Sequence, residues 1–591
     1  MHQIASYKIR RIVLLVGVIM LCNIKDISSQ TPQQDLSKGN YLLMQKPFQI
    51  EAWSYPNFLV NGVLENRFNS GFYAASNFTS FGVVHSTSEL EDYPIEVQNK
   101  PWSRIEEVHH GLSAFELTRI NTLFRLQFED DNLHPANIEL VQYANSWFTY
   151  KRSKPEFDNT ILSVDLPFSN YGSEFAAQLK NMVSLLKPDL ILFNRYPWQR
   201  DETYNHVQML YGWYGMLIYY RNLALKGIDG TGNIPIPFGA FTQTWFAYQT
   251  SPPSYSQMRL NHFGSLVFGA KVLSAFVYND YPGDNTNTIK SFLFNNEFPT
   301  LQFYYQAEIN RQITNLGSTL LKLQTSDIRL IPRKSRATYP GGTDIATLKW
   351  VEIEKPRPDN YLTGVTATRI DPINGENGDV FVGYFKPVHK SLDGTNTANE
   401  NYFMIVNGLY GNDTVSSSQN IRLDFDFGQT SNINSLLRIS RLTGKVEVVP
   451  LVKENTDGNE YHLDLLLNGG EGDLFKYNNG VAFLGSLTLT SLSENMIQEK
   501  SFLLFPNPVN DMLNICFKNN LSVERDSLKF SLNSGKFKLF DMRGRLILHQ
   551  MINKNDMVMI DVKSLADGLY FYTLAYENGK MIGSGKFIKN Y

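Results

Sequence analysis

The chain has 591 residues, of which 42% are hydrophobic and 19% charged, and it carries 39 Phe, 31 Tyr and 7 Trp. That much apolar material excludes a largely disordered chain, and the length leaves room for about three or four domains. The formal net charge of −3, without any basic block, gives no electrostatic support to nucleic-acid binding, and the abundance of rings favours carbohydrate, peptide or protein as partner.

Residues 1–30 read as an export signal. Lys8, Arg10 and Arg11 precede IVLLVGVIML, an apolar run too short to span a bilayer comfortably, and polar residues follow as far as Gln30. The alternative is an N-terminal anchor, but no permanent transmembrane segment is expected. If Cys22 leaves with the signal, Cys516 stays alone and no intrachain disulfide can form, which favours a bacterial envelope or extracellular protein.

Residues 41–330 alternate β-type runs with helical ones. The candidate strands are FQIEAW (48–53), FYAAS (72–76), FGVVHS (81–86), LFRLQFE (123–129), ILSVDLPF (161–168), LILFNRYP (190–197), IPFGAFTQT (236–244) and VLSAFVYN (272–279). Helices are expected over 171–187, where Pro188 stops the run, and over 203–224 and 254–271. Eight β-runs with helical material between most of them match a (β/α)8 barrel, and an open α/β sheet is the competing architecture.

Residues 331–500 change character. YFMIVNG, IRLDFDFG, KVEVVPLV, YHLDLLLNG and DLFKYNNGVAFLG are short strands divided by Gly-Asn and Asp-Gly turns, which predicts an all-β sandwich against the barrel. Residues 501–591 form a second, smaller all-β unit with hairpin turns at Met542–Gly544 and Glu577–Gly579.

This last unit resembles the type IX secretion sorting domain of Bacteroidetes. The resemblance rests on FPNPVNDMLNI (505–515), KFKLFDMRGRLI (536–547), DVKSLADGLYFYTL (561–574) and the terminal GSGKFIKNY, in order and at the usual spacing. It implies export through the type IX secretion machinery, followed by removal of the domain and either release or attachment at the outer-membrane surface.

The region around 120–280 resembles glycoside-hydrolase-type TIM barrels. The matching stretches are FEDD (128–131), VDLPF (164–168), KPDLILFNRYPW (187–198), FGAFTQTWF (238–246) and FGAKVLSAFVY (268–278). Two departures stand out: Glu-Asp-Asp replaces Asp-Glu-Pro, and Asn194 replaces the aspartate before Tyr-Pro. The resemblance implies a carbohydrate substrate and a pair of carboxylates, one protonating the leaving oxygen while the other attacks or activates water.

Glu129 ends the fourth β-run, where the resemblance places the acid, and Asp130 and Asp131 beside it would raise its pKa. The same three acids could instead cap the following helix. The seventh run ends in Gln243, which can hold a sugar hydroxyl but cannot attack, so Asp165 and Asp280 are the candidates for the second carboxylate. Glu51, near the end of the first run, can face either the barrel interior or its outer layer. Trp53, Tyr196, Trp198 and Trp245 are candidate platforms for sugar rings, with Asn194 and Gln243 for their hydroxyls.

No HExxH, G-x-S-x-G, C-x-x-C or phosphate-binding glycine motif occurs, and neither cofactor nor metal is expected. The expectation is therefore a secreted glycoside hydrolase, with a non-catalytic glycan-binding or surface-scaffold protein on a degenerate barrel as the alternative.

Overall fold

The computed structural model describes residues 36–589 except 61–62, 84–88, 107–110, 129–132, 167–172, 199–205, 247–251, 281–289, 296–297, 332–360, 372–376, 390–391, 393–401, 412–416, 429–431, 456–457, 486–501, 506–511, 518–533, 542–544, 554–556, 567 and 577–580. The export signal read at 1–30 lies outside the described residues.

Eight parallel strands close into a barrel: β1 (Gln49–Ser54), β2 (Ser80–Val83), β3 (Trp102–Glu106), β4 (Leu123–Phe128), β5 (Ile161–Leu166), β6 (Leu190–Phe193), β7 (Phe238–Gln243) and β8 (Val272–Phe276). Each pairs with its neighbours in chain order, and β8 closes the ring on β1 through Gln49↔Val272 to Ala52↔Ala275. A helix α1 (Lys38–Met44) precedes the barrel, and one α-helix follows each strand. These are α2 (Ser70–Ala75), α3 (Ile95–Gln98), α4 (Ala114–Thr118), α5 (Ile138–Arg152), α6 (Ser173–Leu186), α7 (His206–Lys226), α8 (Tyr255–Val267) and α9 (Leu301–Leu320).

Two of the sequence expectations are corrected here. FYAAS is not a strand but most of α2, capped by Asn69, whose side chain accepts from Phe72 N at 3.0 Å. The true third strand is WSRIE, whose charged residues hide its β character. Arg104 and Glu106 face outward and are buried by partners, Arg104 by Glu116 at 2.6 Å and Glu106 by Lys151 at 2.7 Å and the Trp147 indole.

A β-sandwich follows. One sheet has the order β9-β11-β12-β17-β14-β15, built from β9 (Leu323–Ile331), β11 (Val380–Pro387), β12 (Tyr402–Asn407), β14 (Ser435–Ile439), β15 (Val446–Pro450) and β17 (Gly472–Tyr477). The facing sheet comprises β10 (Leu362–Arg369), β13 (Gln419–Asp426), β16 (Glu460–Leu467) and the short strand Val452–Lys453. Because β9 pairs with β11 from Leu323↔Pro387 onward, the sandwich begins several residues before 331.

The central strands β11, β12 and β17 of the six-stranded sheet are buried on both faces, which explains their unbroken apolar runs. Phe381, Phe385, Tyr402, Met404, Val406 and Leu474 join the barrel's core, while the alternating Val380, Val382, Tyr384, Phe403, Ile405 and Phe475 fill the sandwich.

The C-terminal unit has two sheets. One is β18 (Phe502–Phe505), β19 (Met512–Phe517) and β22 (Met557–Asp561), and the other is β20 (Ser534–Phe540), β21 (Leu546–Asn553), β23 (Gly568–Tyr576) and β24 (Met581–Lys589) in the order β21-β20-β23-β24. Leu513, Ile515, Phe537, Leu539, Ile560, Leu574 and Phe587 belong to its own core.

Candidate active site

Strand alternation fills the barrel from the inside with an unusually polar layer. Glu51 and Arg125, both fully buried, form a two-pronged ion pair: Glu51 accepts from Arg125 Nε at 3.0 Å and Nη2 at 2.5 Å. Ser103 Oγ at 2.5 Å and Ser274 Oγ complete the shell of the carboxylate. Arg125 Nη1 donates to Gln127 Oε1 at 2.5 Å and to Ser163 Oγ at 3.0 Å. Glu51 therefore faces the interior, with its oxygens already satisfied, and serves the barrel rather than the mouth.

Trp53 shares that interior. It is 0% exposed, donates from Nε1 to Ser274 Oγ at 3.1 Å and lies 5.3 Å from the Arg125 guanidinium, so it offers no platform for a sugar. This overturns the stacking role expected of it. Being the penultimate residue of β1 does not bring a side chain to the mouth when the residues around it close over it.

Asp165 continues the inner face of β5 two residues beyond Ser163, and its side chain is 2% exposed. The β4–β5 register runs to Phe128↔Val164. Glu129, which follows Phe128 in the sequence, lies outside the described residues.

Around β6, β7 and β8 the expected ligand groups prove to hold one another. Gln243 Oε1 accepts from Trp198 N at 3.0 Å, and its Nε2 donates to the carbonyls of Trp198 at 2.8 Å and Trp245 at 3.1 Å. Its amide is a clip between two loops, not a free grip on a hydroxyl. Trp198 is 1% exposed, packs edge-on against Tyr410 of the sandwich at 5.0 Å and donates from Nε1 to Gln257 O at 3.2 Å. It is a joint between domains, so the stacking role expected of it is also corrected.

Of the other two candidate platforms, Tyr196 is buried and Trp245 half-buried, their rings perpendicular at 5.5 Å, so Trp245 is the ring with an accessible part. Asn194, just past β6, is also half-buried. Asp280 follows β8 and accepts from Ser291 N at 2.8 Å; Ser291 pairs in turn with Trp245, so this acid shares a corner with the Tyr196–Trp245 pair. Burial pushes the Asp280 carboxyl above the usual carboxylate range, against the opposing pull of the Ser291 N–H and Lys290.

The barrel therefore carries Asp165 at β5 and Asp280 just past β8, three strands apart around its carboxyl end, with an aromatic pair beside the second. Such an end can bind a polar ring and offer it acids from more than one side. The Glu51–Arg125 network escaped the reading of the sequence. Its only signal was an arginine and a glutamine at alternate positions of an otherwise apolar strand, LFRLQF.

Among the described residues no group of three or more His, Cys, Asp or Glu could hold a metal ion, and no helix is long and apolar enough to cross a membrane.

The fold is that of a multidomain protein: a closed (β/α)8 barrel, an antiparallel sandwich and a C-terminal sorting unit. Residues 503–590 match the family described as the secretion system C-terminal sorting domain, which supports secretion or display at the cell surface. No curated protein matches the chain. Solved structures similar to it include a family 39 glycoside hydrolase from the gut symbiont Bacteroides cellulosilyticus WH2, at 9% identity and TM-score 0.35 over 74% of this chain and 82% of that one. A family 51 alpha-L-arabinofuranosidase from Bifidobacterium longum is similar at 9% identity and TM-score 0.33, over 75% and 96% of the two chains. A beta-galactosidase from the psychrophilic Marinomonas ef1 is similar at 9% identity and TM-score 0.29, over 46% and 62%.

Proposed function

We propose that this protein is a secreted glycoside hydrolase acting on a polysaccharide or a glycoprotein glycan. The observation that carries the reading is Asp165, a carboxylate at the carboxyl end of a barrel strand and on its inner face, beside the strand that the sequence continues into Glu129. Glu129 donates the proton to the leaving oxygen. Asp165 attacks the anomeric carbon or takes a proton from the water that does. Asp280, whose burial favours the protonated form, is the rival for the acid role, and the half-buried Trp245, backed by the buried Tyr196, supplies the ring contact. Segment 1–30 directs export, the sorting domain directs passage through the outer membrane by the type IX machinery, and both are removed from the mature product.

One observation favours a second reading. Gln243 at the end of β7 is an amide wholly engaged as a clip, so that strand supplies no carboxylate, as in a barrel that binds glycan without cleaving it. Hydrolysis across a glycan panel, measured with wild type, Glu129→Gln, Asp165→Asn and Asp280→Asn, separates the two. The hydrolase reading expects kcat/KM to fall by about a thousandfold or more in Glu129→Gln and in Asp165→Asn while substrate still binds. Binding without turnover in wild type, unchanged by either substitution, would establish the scaffold instead.

A further inference from the structure

The outer face of α5 holds two large rings in water: Tyr143 is 43% exposed and Tyr150 57%. Positions i and i+7 share one face of a helix, so the two rings stand about 10 Å apart along its axis. From Gln142 to Tyr150 the exposed side chains are Gln142, Tyr143, Ser146, Thr149 and Tyr150. None of these is charged, and the rings have an amide and two hydroxyls beside them. The cations of the last turn are engaged elsewhere, Lys151 with Glu106 at 2.7 Å and Arg152 with Leu186 O at 2.5 Å.

This face is fixed from beneath. Trp147, half-buried, donates from Nε1 to Glu106 and packs on Phe128 at 5.4 Å and on Phe148 at 4.9 Å. The Tyr143 ring lies 5.9 Å from that of Phe128, the last residue of β4, so the face is continuous with the carboxyl end of the barrel. At its far end Lys154 Nζ stands 5.0 Å from the Tyr150 ring centroid. Rings anchored in this way lose little freedom when something stacks on them. A sugar ring presents an apolar C–H face to an aromatic and its hydroxyls to neighbouring amides and hydroxyls, which is the chemistry laid out here. A charged protein surface finds no opposite charge between Gln142 and Tyr150 to match.

We propose that this face of α5 is an accessory binding site for a linear polysaccharide, with Tyr143 and Tyr150 as two stacking platforms separated by about the length of a disaccharide unit. It holds the polymer against the outside of the barrel beside the mouth. For its ligand class the site rests on the glycan function proposed above, but it requires no cleavage at the mouth.

The test uses the full chain. Retention on microcrystalline cellulose, insoluble xylan and an insoluble β-1,3-glucan is measured for wild type, Tyr143→Ala/Tyr150→Ala, Tyr143→Phe/Tyr150→Phe and Tyr150→Ala alone, with Tm as the check on folding. Wild type should be retained on at least one polymer, and the alanine pair should weaken that binding by about tenfold or more while the phenylalanine pair stays within about twofold, since the rings remain. Tyr150→Ala, which leaves the Phe128 contact intact, should show part of the loss even if the alanine pair fails to fold. Where wild type hydrolyses a short soluble oligosaccharide, kcat/KM on it should be unchanged in every variant. Loss of retention in a protein that hydrolyses nothing would still support the site while sinking the hydrolase reading. Wild type retained on none of the three polymers, or retention unchanged in folded alanine variants, would overturn the proposal. A dimer that becomes monomeric in the alanine pair without loss of retention would assign the face to a second copy of the chain instead.

Discussion

At the scale of single residues, Glu51 and Asp165 place the same chemical group, a carboxylate, at two levels of the inner face of one barrel. Glu51 is enclosed by a guanidinium and two serine hydroxyls, so its charge is matched where water cannot reach it. Breaking such a pair from one side costs more than the pair itself contributes, because the remaining ion stays buried and unmatched. Glu51→Gln keeps the volume and strands Arg125; it is expected to lower stability by about 3–5 kcal/mol, read as a shift in urea midpoint at constant slope. The double variant Glu51→Gln/Arg125→Met should recover part of that loss, and an additive result would show that the two side chains do not act as a pair. The same layer explains why Trp53 misled. Its position near a strand end was legible in the sequence, but whether neighbouring side chains close over that end depends on residues brought in from β4 and β8, which no local pattern reveals.

Among elements, the barrel was legible because its strands β4 to β8 combine β-branched and aromatic residues with helical periods between them. Two misreadings offset each other in the count of eight. FYAAS has the residues of a strand, yet Asn69 caps it into a helix, and WSRIE has the charges of a loop, yet ion pairs with α4 and α5 bury it. The carboxylates at the ends of β5 and β8 were legible from position. The engagement of Gln243 and Trp198 was not, since their partners come from other loops and from Tyr410 of the sandwich. Where α8 meets the sandwich, the turn before β17 makes a contact only glycine allows. Gly470 has φ +73°, and a Cβ on it would lie 2.4 Å from Leu260 N and Ser256 O of α8. Gly470→Ala therefore meets both backbone strain and a clash, and should destabilise the barrel–sandwich unit by at least about 2 kcal/mol, measured by calorimetry. A change below about 0.5 kcal/mol would mean that this turn is not fixed against α8.

At the scale of the whole molecule, barrel and sandwich share a seam of apolar and charged contacts, and pH should act on it. Arg259 of α8 donates to Glu471 at 2.7 Å and lies 4.2 Å from the Tyr255 ring; Arg441 reaches both Glu471, at 2.8 Å, and Asp473. Burial alone would raise the pKa of Glu471, but Arg441 and Arg259 outweigh it and hold the carboxyl at about 2. In the unfolded chain the same group titrates near about 4.5, so its contribution is fully present above that value and is lost as pH falls toward 2. His262, inside α8, adds to this at higher pH. Burial lowers its pKa to about 4, while its Nδ1 donates to Met258 O and its Nε2 accepts from Gln306 Nε2, both inside the core. Its neutral form is the native one, so stability is full above the unfolded value of about 6.5 and declines as pH falls toward 4. Acid should therefore weaken the barrel–sandwich unit first between about pH 6.5 and 4 and then between about 4.5 and 2, by about 3 kcal/mol from each group at most. Urea unfolding of the full chain at pH 7.5, 5 and 3 measures this. Glu471→Gln should cost stability at pH 7.5, where Arg259 and Arg441 lose their shared anion, and should flatten the dependence below pH 5 while leaving the step above it. An unchanged slope below pH 5 in that variant would move the acid response to other carboxylates and leave the seam as a packed joint whose hold comes from Phe381, Phe385, Met404 and Val406 rather than from charge.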